Sequence, residues 1–192
     1  MKLQKLFFIN LTVFLLLGQM LVNAQTSDKS EKMEFFNFLL GDWTVKNLKL
    51  NKENSWELLG VTSSKNSMVL GGKFVKENVK YLSDFGEINM ITYIGYDSRV
   101  KSYKLSAMDK EYGVMDIYLG QVNGKSIVFT NLNSDSPFIM DDGKSLWFRL
   151  TYKDITENSF THLVEGTLNK GKTWFMFSKA NFKKKIELKK TP

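Results

Sequence analysis

From Trp43 onward, apolar and polar residues alternate in short runs broken by Gly, Asn, Asp and Lys, the pattern of strands joined by tight turns. Ten such runs are predicted: Trp43–Asn51, Trp56–Ser64, Gly72–Tyr81, Glu87–Tyr96, Val100–Asp109, Tyr112–Gly120, Lys125–Asn131, Ser145–Tyr152, Ser159–Thr167 and Lys172–Phe182. The alternation is plainest where Leu146, Phe148, Leu150 and Tyr152 share one face and where Ile88, Met90, Ile94 and Tyr96 share another. Asn169-Lys170-Gly171-Lys172 reads as a short hairpin turn, and only two prolines occur, which suits continuous pairing. Ahead of the strands, Met33, Phe36 and Leu40 recur at helical spacing, and Phe35 and Leu39 widen the apolar stripe. Ser30 is placed to cap this helix, Glu31 and Glu34 stand near its N-terminus, and Gly41 stops it. The helix runs into Gly41-Asp42-Trp43, so an apolar turn and one large ring are available to close an end of whatever the strands build.

Evenly spaced strands without intervening helices make a sandwich or a barrel. No Cys-Trp-Cys spacing supports an immunoglobulin sandwich, and neighbour-to-neighbour hairpins favour an up-and-down barrel. The expected fold is all-β, an antiparallel barrel of about ten strands closed at one end by the short N-terminal helix. Barrels of eight strands already hold one small ligand, so a wider one is expected to enclose a cavity.

The first residues read differently. Lys2 and Lys5 precede an apolar run from Leu6 to Leu17, and Val22-Asn23-Ala24 has the small-residue pattern of a signal-peptidase site. Residues 1–24 are therefore expected to be a cleaved signal peptide and residues 25–192 a single barrel domain, periplasmic or secreted. Asn10, Thr12 and Gln19 interrupt the apolar stretch, which falls short of the roughly 20 residues a spanning helix needs. With no cysteine, the chain has neither disulfides nor a thiol-linked lipid, so packing and sheet pairing must hold it together. The formal charge of +7 becomes +5 without the two leader lysines. Lys73, Lys76 and Lys80 lie among acids and polar residues, the composition of a solvated face and not of a nucleic-acid surface. Lys183-Lys184-Lys185 and Lys189-Lys190 are the exception, a tail able to make weak contact with anionic envelope components.

Met68-Val69-Leu70-Gly71-Gly72-Lys73-Phe74, then Gly95-Tyr96-Asp97 leading through Lys101-Ser102-Tyr103 to Asp109, resembles a family of uncharacterised, mostly bacterial proteins, domains of unknown function with a lipocalin-like (calycin) barrel. The resemblance covers Leu39 to about Lys184 and implies a barrel with a hydrophobic ligand and no established reaction. Two departures stand out. Tyr103 and Asp109 are kept, but Ala107 occupies the place of the family's central tryptophan, which implies a locally larger cavity. Phe182-x-Lys184 replaces an aromatic-x-Arg pattern, so an ammonium stands where related barrels lay a guanidinium over the floor tryptophan. In its own right, Gly71-Gly72 marks a bulge or strand corner, and Gly95 opens a turn that Asp97 caps.

The chemistry the chain can support is narrow. Thiol catalysis is excluded, there is no Gly-x-Ser-x-Gly elbow, and any Ser-His-Asp arrangement must use His162, the single histidine. His162 shares a strand face with Phe160 and Val164, the setting of a cavity-lining or core residue. Haem held by one histidine is the sharper alternative; in related barrels that ligand lies near the last strand, whereas His162 falls on the penultimate one. A two-histidine zinc site cannot be built. Asn131-x-Asn133-x-Asp135 with Asp142 imitates part of a calcium loop, but Ser136 stands where glycine is needed. No metal and no cofactor are expected.

These readings converge on a barrel that binds a small hydrophobic or amphipathic ligand internally, with no nucleic-acid partner and no stable membrane anchor after cleavage. Trp43, Tyr103, Met108, Asp109, Phe129, Trp147, Arg149, His162 and Trp174 are the floor or cavity candidates, and Phe138, Ile139 and Met140 in the loop before Ser145 are candidate lid residues. Two alternatives stay open. One is an isomerase or hydrolase using Asp109, His162 or Tyr103 on an apolar substrate, and the other is an interaction protein whose barrel is filled by its own side chains.

Overall fold

The computed structural model describes residues 31–84 and 86–185. The leader 1–24, Ser30 and Lys189-Lys190 lie outside these residues. Residues 31–34 are α-helical and tighten into a 3-10 turn, Phe35–Leu39, which ends as predicted before Gly41. Gly41 has φ +112°, a conformation that side chains resist, and the chain passes there from the helical turn into a strand.

Eleven strands follow: β1 (Gly41–Leu50), β2 (Trp56–Val69), β3 (Phe74–Ser83), β4 (Gly86–Asp97), β5 (Ser102–Asp109), β6 (Met115–Asn123), β7 (Ser126–Thr130), β8 (Phe138–Ile139), β9 (Ser145–Lys153), β10 (Ser159–Thr167) and β11 (Phe175–Lys184). Each of β1 to β6 pairs antiparallel with the next, β7 pairs with β9, β9 with β10, β10 with β11, and β11 returns to β1. This closes a ten-stranded antiparallel barrel, with the two-residue β8 appended to β9. Every predicted strand run is present, shifted by a few residues at its ends. The Gly71-Gly72 pair forms a turn between β2 and β3 instead of a bulge; the barrel's bulges are at Asn47/Leu48 and Val164/Glu165.

Gly95 also has a different reason from the one expected. A Cβ there would lie 2.4 Å from the Phe74 ring, so the glycine lets the cross-strand Phe74 lie flat on the backbone. Asp97 does cap the following turn, accepting a hydrogen bond from the Arg99 amide at 3.0 Å.

The helix plugs one end of the barrel. Trp43, Val45, Val75, Ile94, Leu105, Ile127, Phe129, Phe160 and Phe182, the inward residues of that half, are buried with Phe36 and Leu39 in one core. Burial of such side chains contributes roughly 1.5–3 kcal/mol each. A disulfide-free domain of this size is thus held mainly by its closed half.

Candidate functional site

Trp43 is the floor. Its Nε1 donates to the Leu39 carbonyl at 2.8 Å, and its ring meets Phe160 edge-on at 4.9 Å. Lys184 Nζ stands 5.6 Å from the same ring, so the lysine keeps the cationic contact as a point charge without the stacking of a guanidinium. Tyr103 belongs to this plug: its hydroxyl donates to the Lys32 carbonyl at 2.8 Å and its ring meets Phe36 at 5.1 Å. Phe129 is buried between Phe36 and Tyr152.

Above the floor the interior changes character, because the inward face of β2, β3 and β4 carries Asn66, Glu77 and Thr92 where the opposite wall carries rings. Glu77 is buried with no ion-pair partner among the described residues. Its Oε2 accepts from Thr92 Oγ1 at 2.6 Å and from the Tyr152 hydroxyl at 3.0 Å, and its Oε1 accepts from Asn66 Nδ2 at 3.4 Å. Burial pushes its carboxyl up from the ordinary 4.5, against the pull of the Thr92 and Tyr152 hydrogen bonds. Beside it, the Tyr81 hydroxyl and His162 Nδ1 are 3.0 Å apart, and the His162 ring lies against Tyr152 at 4.6 Å. Burial depresses the imidazole to about 4, so it is neutral at physiological pH. It raises the Tyr81 and Tyr152 hydroxyls well above 10. The Glu77–Tyr152 and Tyr81–His162 bonds both cross the barrel from β3 to β9 or β10 and divide it into two halves.

Toward the unplugged end, inward positions lose their burial. Val79, Ala107 and Leu146 are still buried, but Tyr81, Ile88, Met90, Phe148 and Val164 are partly exposed. Phe177, whose ring meets Phe148 at 5.5 Å, is 44% exposed. The closed half is fully packed, whereas the inner wall of this half, called the cup below, is partly exposed, with Ala107 as a small wall residue at the depth of Thr92 and Asp116. Asp116 carries a carboxyl raised by burial and accepts from the Tyr118 hydroxyl at 3.2 Å.

Several predicted cavity residues are elsewhere. Met108 alternates with the buried Leu105 and Ala107 and pairs with the exposed Ile91, so it points outward. Trp147 and Arg149 alternate with the inward Leu146, Phe148 and Leu150 and so fall on the outer face. There Arg149 forms a two-pronged ion pair with Glu165, at 2.7 and 2.6 Å, and lies 4.4 Å over Trp174, which is therefore also outside. Trp147 is covered on that face by Lys170, 5.4 Å from its ring. Asp109 is at the cup rim, but its carboxylate accepts from the Tyr112 amide at 2.6 Å, a turn cap. Tyr103 and Asp109 occupy opposite ends of β5, roughly 20 Å apart at strand rise, so they cannot serve one reaction centre. Phe138 and Ile139 form β8 at the rim; Phe138 is 40% and Ile139 57% exposed, and Phe138 meets Tyr112 at 6.5 Å. Met140 closes the turn by donating its amide to the Lys144 carbonyl. Asn131 staples the loop to β9, its Oδ1 accepting from the Phe148 amide at 2.6 Å.

The sequence profile of a family described as "Protein of unknown function (DUF1579)" matches residues 28–184, the stretch that builds the plug and the barrel. The chain belongs to the DUF1579 family. The resemblance carried by the Met68–Phe74 and Gly95–Asp109 blocks is thus confirmed. The crystal structure of Rv2717c from M. tuberculosis superposes with a TM-score of 0.56 at 14% identity, over 80% of this chain and 97% of that one. At that identity the shared property is the barrel fold. No curated protein matches the sequence.

In this DUF1579 chain the residues that sequence reasoning missed are Glu77, Tyr81, Tyr152, Asn66 and Thr92. A signal for Glu77 was present: Val75, Glu77, Val79 and Tyr81 alternate along one strand face, which places an acid on an apolar stripe. Among the described residues no group of three or more His, Cys, Asp and Glu is placed to hold a metal ion. A separate groove of about 620 Å³ runs outside the plugged end, between Phe35, Phe38, Ile155 and Lys184. It lacks the hydrogen-bonding layer that distinguishes the cup.

Proposed function

We propose that the barrel carries a small hydrophobic or amphipathic molecule in the cup above the Glu77–Tyr152–His162–Tyr81 layer, in a protein exported to the periplasm or beyond. The observation that carries this reading is the change of burial along the inner wall. Phe160 and Phe129 are fully packed, whereas Met90, Phe148, Val164 and Phe177 face inward and stay partly exposed. Apolar walls over a few convergent polar groups are the ordinary composition of a ligand site. The β8 loop, with its exposed Phe138 and Ile139 at the rim, is then positioned to cover an occupied cup and gain apolar contact.

Nile red, a neutral dye that fluoresces in apolar surroundings, tests this reading. The wild-type protein is expected to bind one equivalent, and Val164→Trp, which fills the cup, is expected to lose that binding while melting cooperatively. Absence of binding to the wild type, or equal binding to the filled variant, would rule the cup out as the site.

A further inference from the structure

The Tyr81–His162 pair does not close its own hydrogen-bond count. With a neutral imidazole the pair holds two labile protons, one on the phenol oxygen and one on the ring, and their mutual bond of 3.0 Å uses only one. When Tyr81 donates to Nδ1, the ring proton is on Nε2, which is buried and has no hydrogen-bond partner among the described residues. When Nδ1–H donates to Tyr81, the unmet proton is the phenol's own, since that hydroxyl makes no other hydrogen bond among the described residues. Either tautomer is one acceptor short. Unmet buried donors are rare in folded proteins, and this one lies where the packed half of the barrel meets the cup.

We propose that the ligand supplies the missing acceptor: a neutral carbonyl, ester or ether oxygen at its polar end accepts from the Tyr81 hydroxyl, and His162 Nδ1–H donates to the Tyr81 oxygen behind it. This rests on the reading of the cup as the ligand site and names the ligand's chemistry within it. Tyr81 is the contact because its side chain is partly exposed on the inner face of β3, whereas His162 Nε2 is buried. Binding fixes the ring proton on Nδ1 with no change in charge. What remains at Nε2 is a bare lone pair, which a buried site tolerates better than an orphaned N–H.

The electrostatics select a neutral head. Glu77 acts on Tyr81 through its charge, and Asp109 and Asp116 are the charged groups on the inner face of β5 and β6. A carboxylate head would bring another negative charge toward these acids, and a ketone would not.

His162 is the chain's single histidine, so imidazole-labelled protein shows one pair of ring ¹⁵N signals. With the wild-type protein, saturation with 2-octanone is expected to shift these signals toward a full Nδ1–H tautomer relative to the empty protein, and n-octane is expected to leave them at the empty-state values. Octanoate is expected to bind at least tenfold more weakly than 2-octanone. Tyr81→Phe is expected to bind 2-octanone about tenfold more weakly than wild type, with n-octane affinity unchanged. If 2-octanone binds without this shift, or octanoate binds as tightly, the head-group inference is wrong and the cup stands. If neither 2-octanone nor n-octane binds, the cup itself is refuted.

Discussion

His162 should make the stability of this barrel depend on pH in a way that a single substitution removes. Its imidazole titrates near 6.5 in the unfolded chain and near 4 when folded, because burial disfavours the charged ring. The folded state therefore binds fewer protons than the unfolded state between those values. The stabilising contribution is complete above pH 6.5 and is lost as pH falls toward 4. The separation of about 2.5 units corresponds to roughly 3 kcal/mol at 1.36 kcal/mol per unit. The groups that meet the ring are Tyr81 from β3 and Tyr152 from β9, both neutral throughout this range, with Glu77 one hydrogen bond further on. Glu77 works in the opposite direction: its folded carboxyl is raised above 4.5, so its contribution falls as pH rises past that value. The two effects overlap, and the informative quantity is the difference between wild type and His162→Phe, in which Glu77 is common to both. Urea denaturation between pH 7.5 and 3.5 should show wild type losing about 3 kcal/mol relative to the variant. A difference that stays constant within about 0.5 kcal/mol across that range would mean the buried ring is not held neutral, and the argument for the Tyr81–His162 layer would fail with it.

Other substitutions test the remaining assignments. Glu77→Gln should flatten the loss of stability seen as pH rises above 4.5, whereas Glu77→Ala should destabilise by about 2 kcal/mol or more at any pH, because Thr92, Tyr152 and Asn66 each lose an acceptor; equal pH slopes in wild type and the glutamine variant would contradict a buried ionisable Glu77. Gly95→Ala should cost about 1–3 kcal/mol in chemical denaturation and much less in a Phe74→Ala background, since the clash is with the Phe74 ring; additivity of the two changes would remove that explanation. Arg149→Met should leave Nile red binding unchanged while lowering stability by about 2 kcal/mol, because it strands the nearly buried Glu165 on the outer face; lost dye binding in a protein that melts normally would return Arg149 to the cavity. Trp43→Ala, at the floor, should cost roughly 3–5 kcal/mol, and a change below about 1 kcal/mol would show that the plug does not depend on it.

The barrel was legible because it is written in a repeated local signal. Ten alternating runs with turn residues between them leave few alternatives, and Gly41-Asp42-Trp43 marks the floor by the size of one ring and the freedom of one glycine. The site was less legible because it depends on which face of each strand turns inward. Leu146, Phe148, Leu150 and Tyr152 share one apolar face of β9, the one that turns inward, but alternation alone does not say which face does, and Trp147 and Arg149 look more like ligand-binding residues by their chemistry alone. On the outer face they meet Lys170 and Trp174 from the connection between β10 and β11, a long-range contact with no local pattern. Glu77 is the converse case, a charged residue on an apolar stripe whose partners come from β2, from β4 and from β9, the last 75 residues later in the chain. Lys184 was readable as a replacement but not as a contact until the end of β11 was placed beside Trp43. The lysines at 183–185 accordingly belong to the closing strand and its exit, with Lys185 donating its amide to the Asp42 carbonyl.

The central claim is that the open half of the barrel holds a ligand. Native mass spectrometry of the protein purified from its own source, followed by extraction of the bound fraction, tests it most directly. The account predicts a stoichiometric small molecule, apolar over most of its length and carrying a neutral oxygen acceptor, that is absent from Val164→Trp prepared in the same way. Recovery of the wild-type protein at its bare polypeptide mass, with no more extractable material than the filled variant, would contradict it.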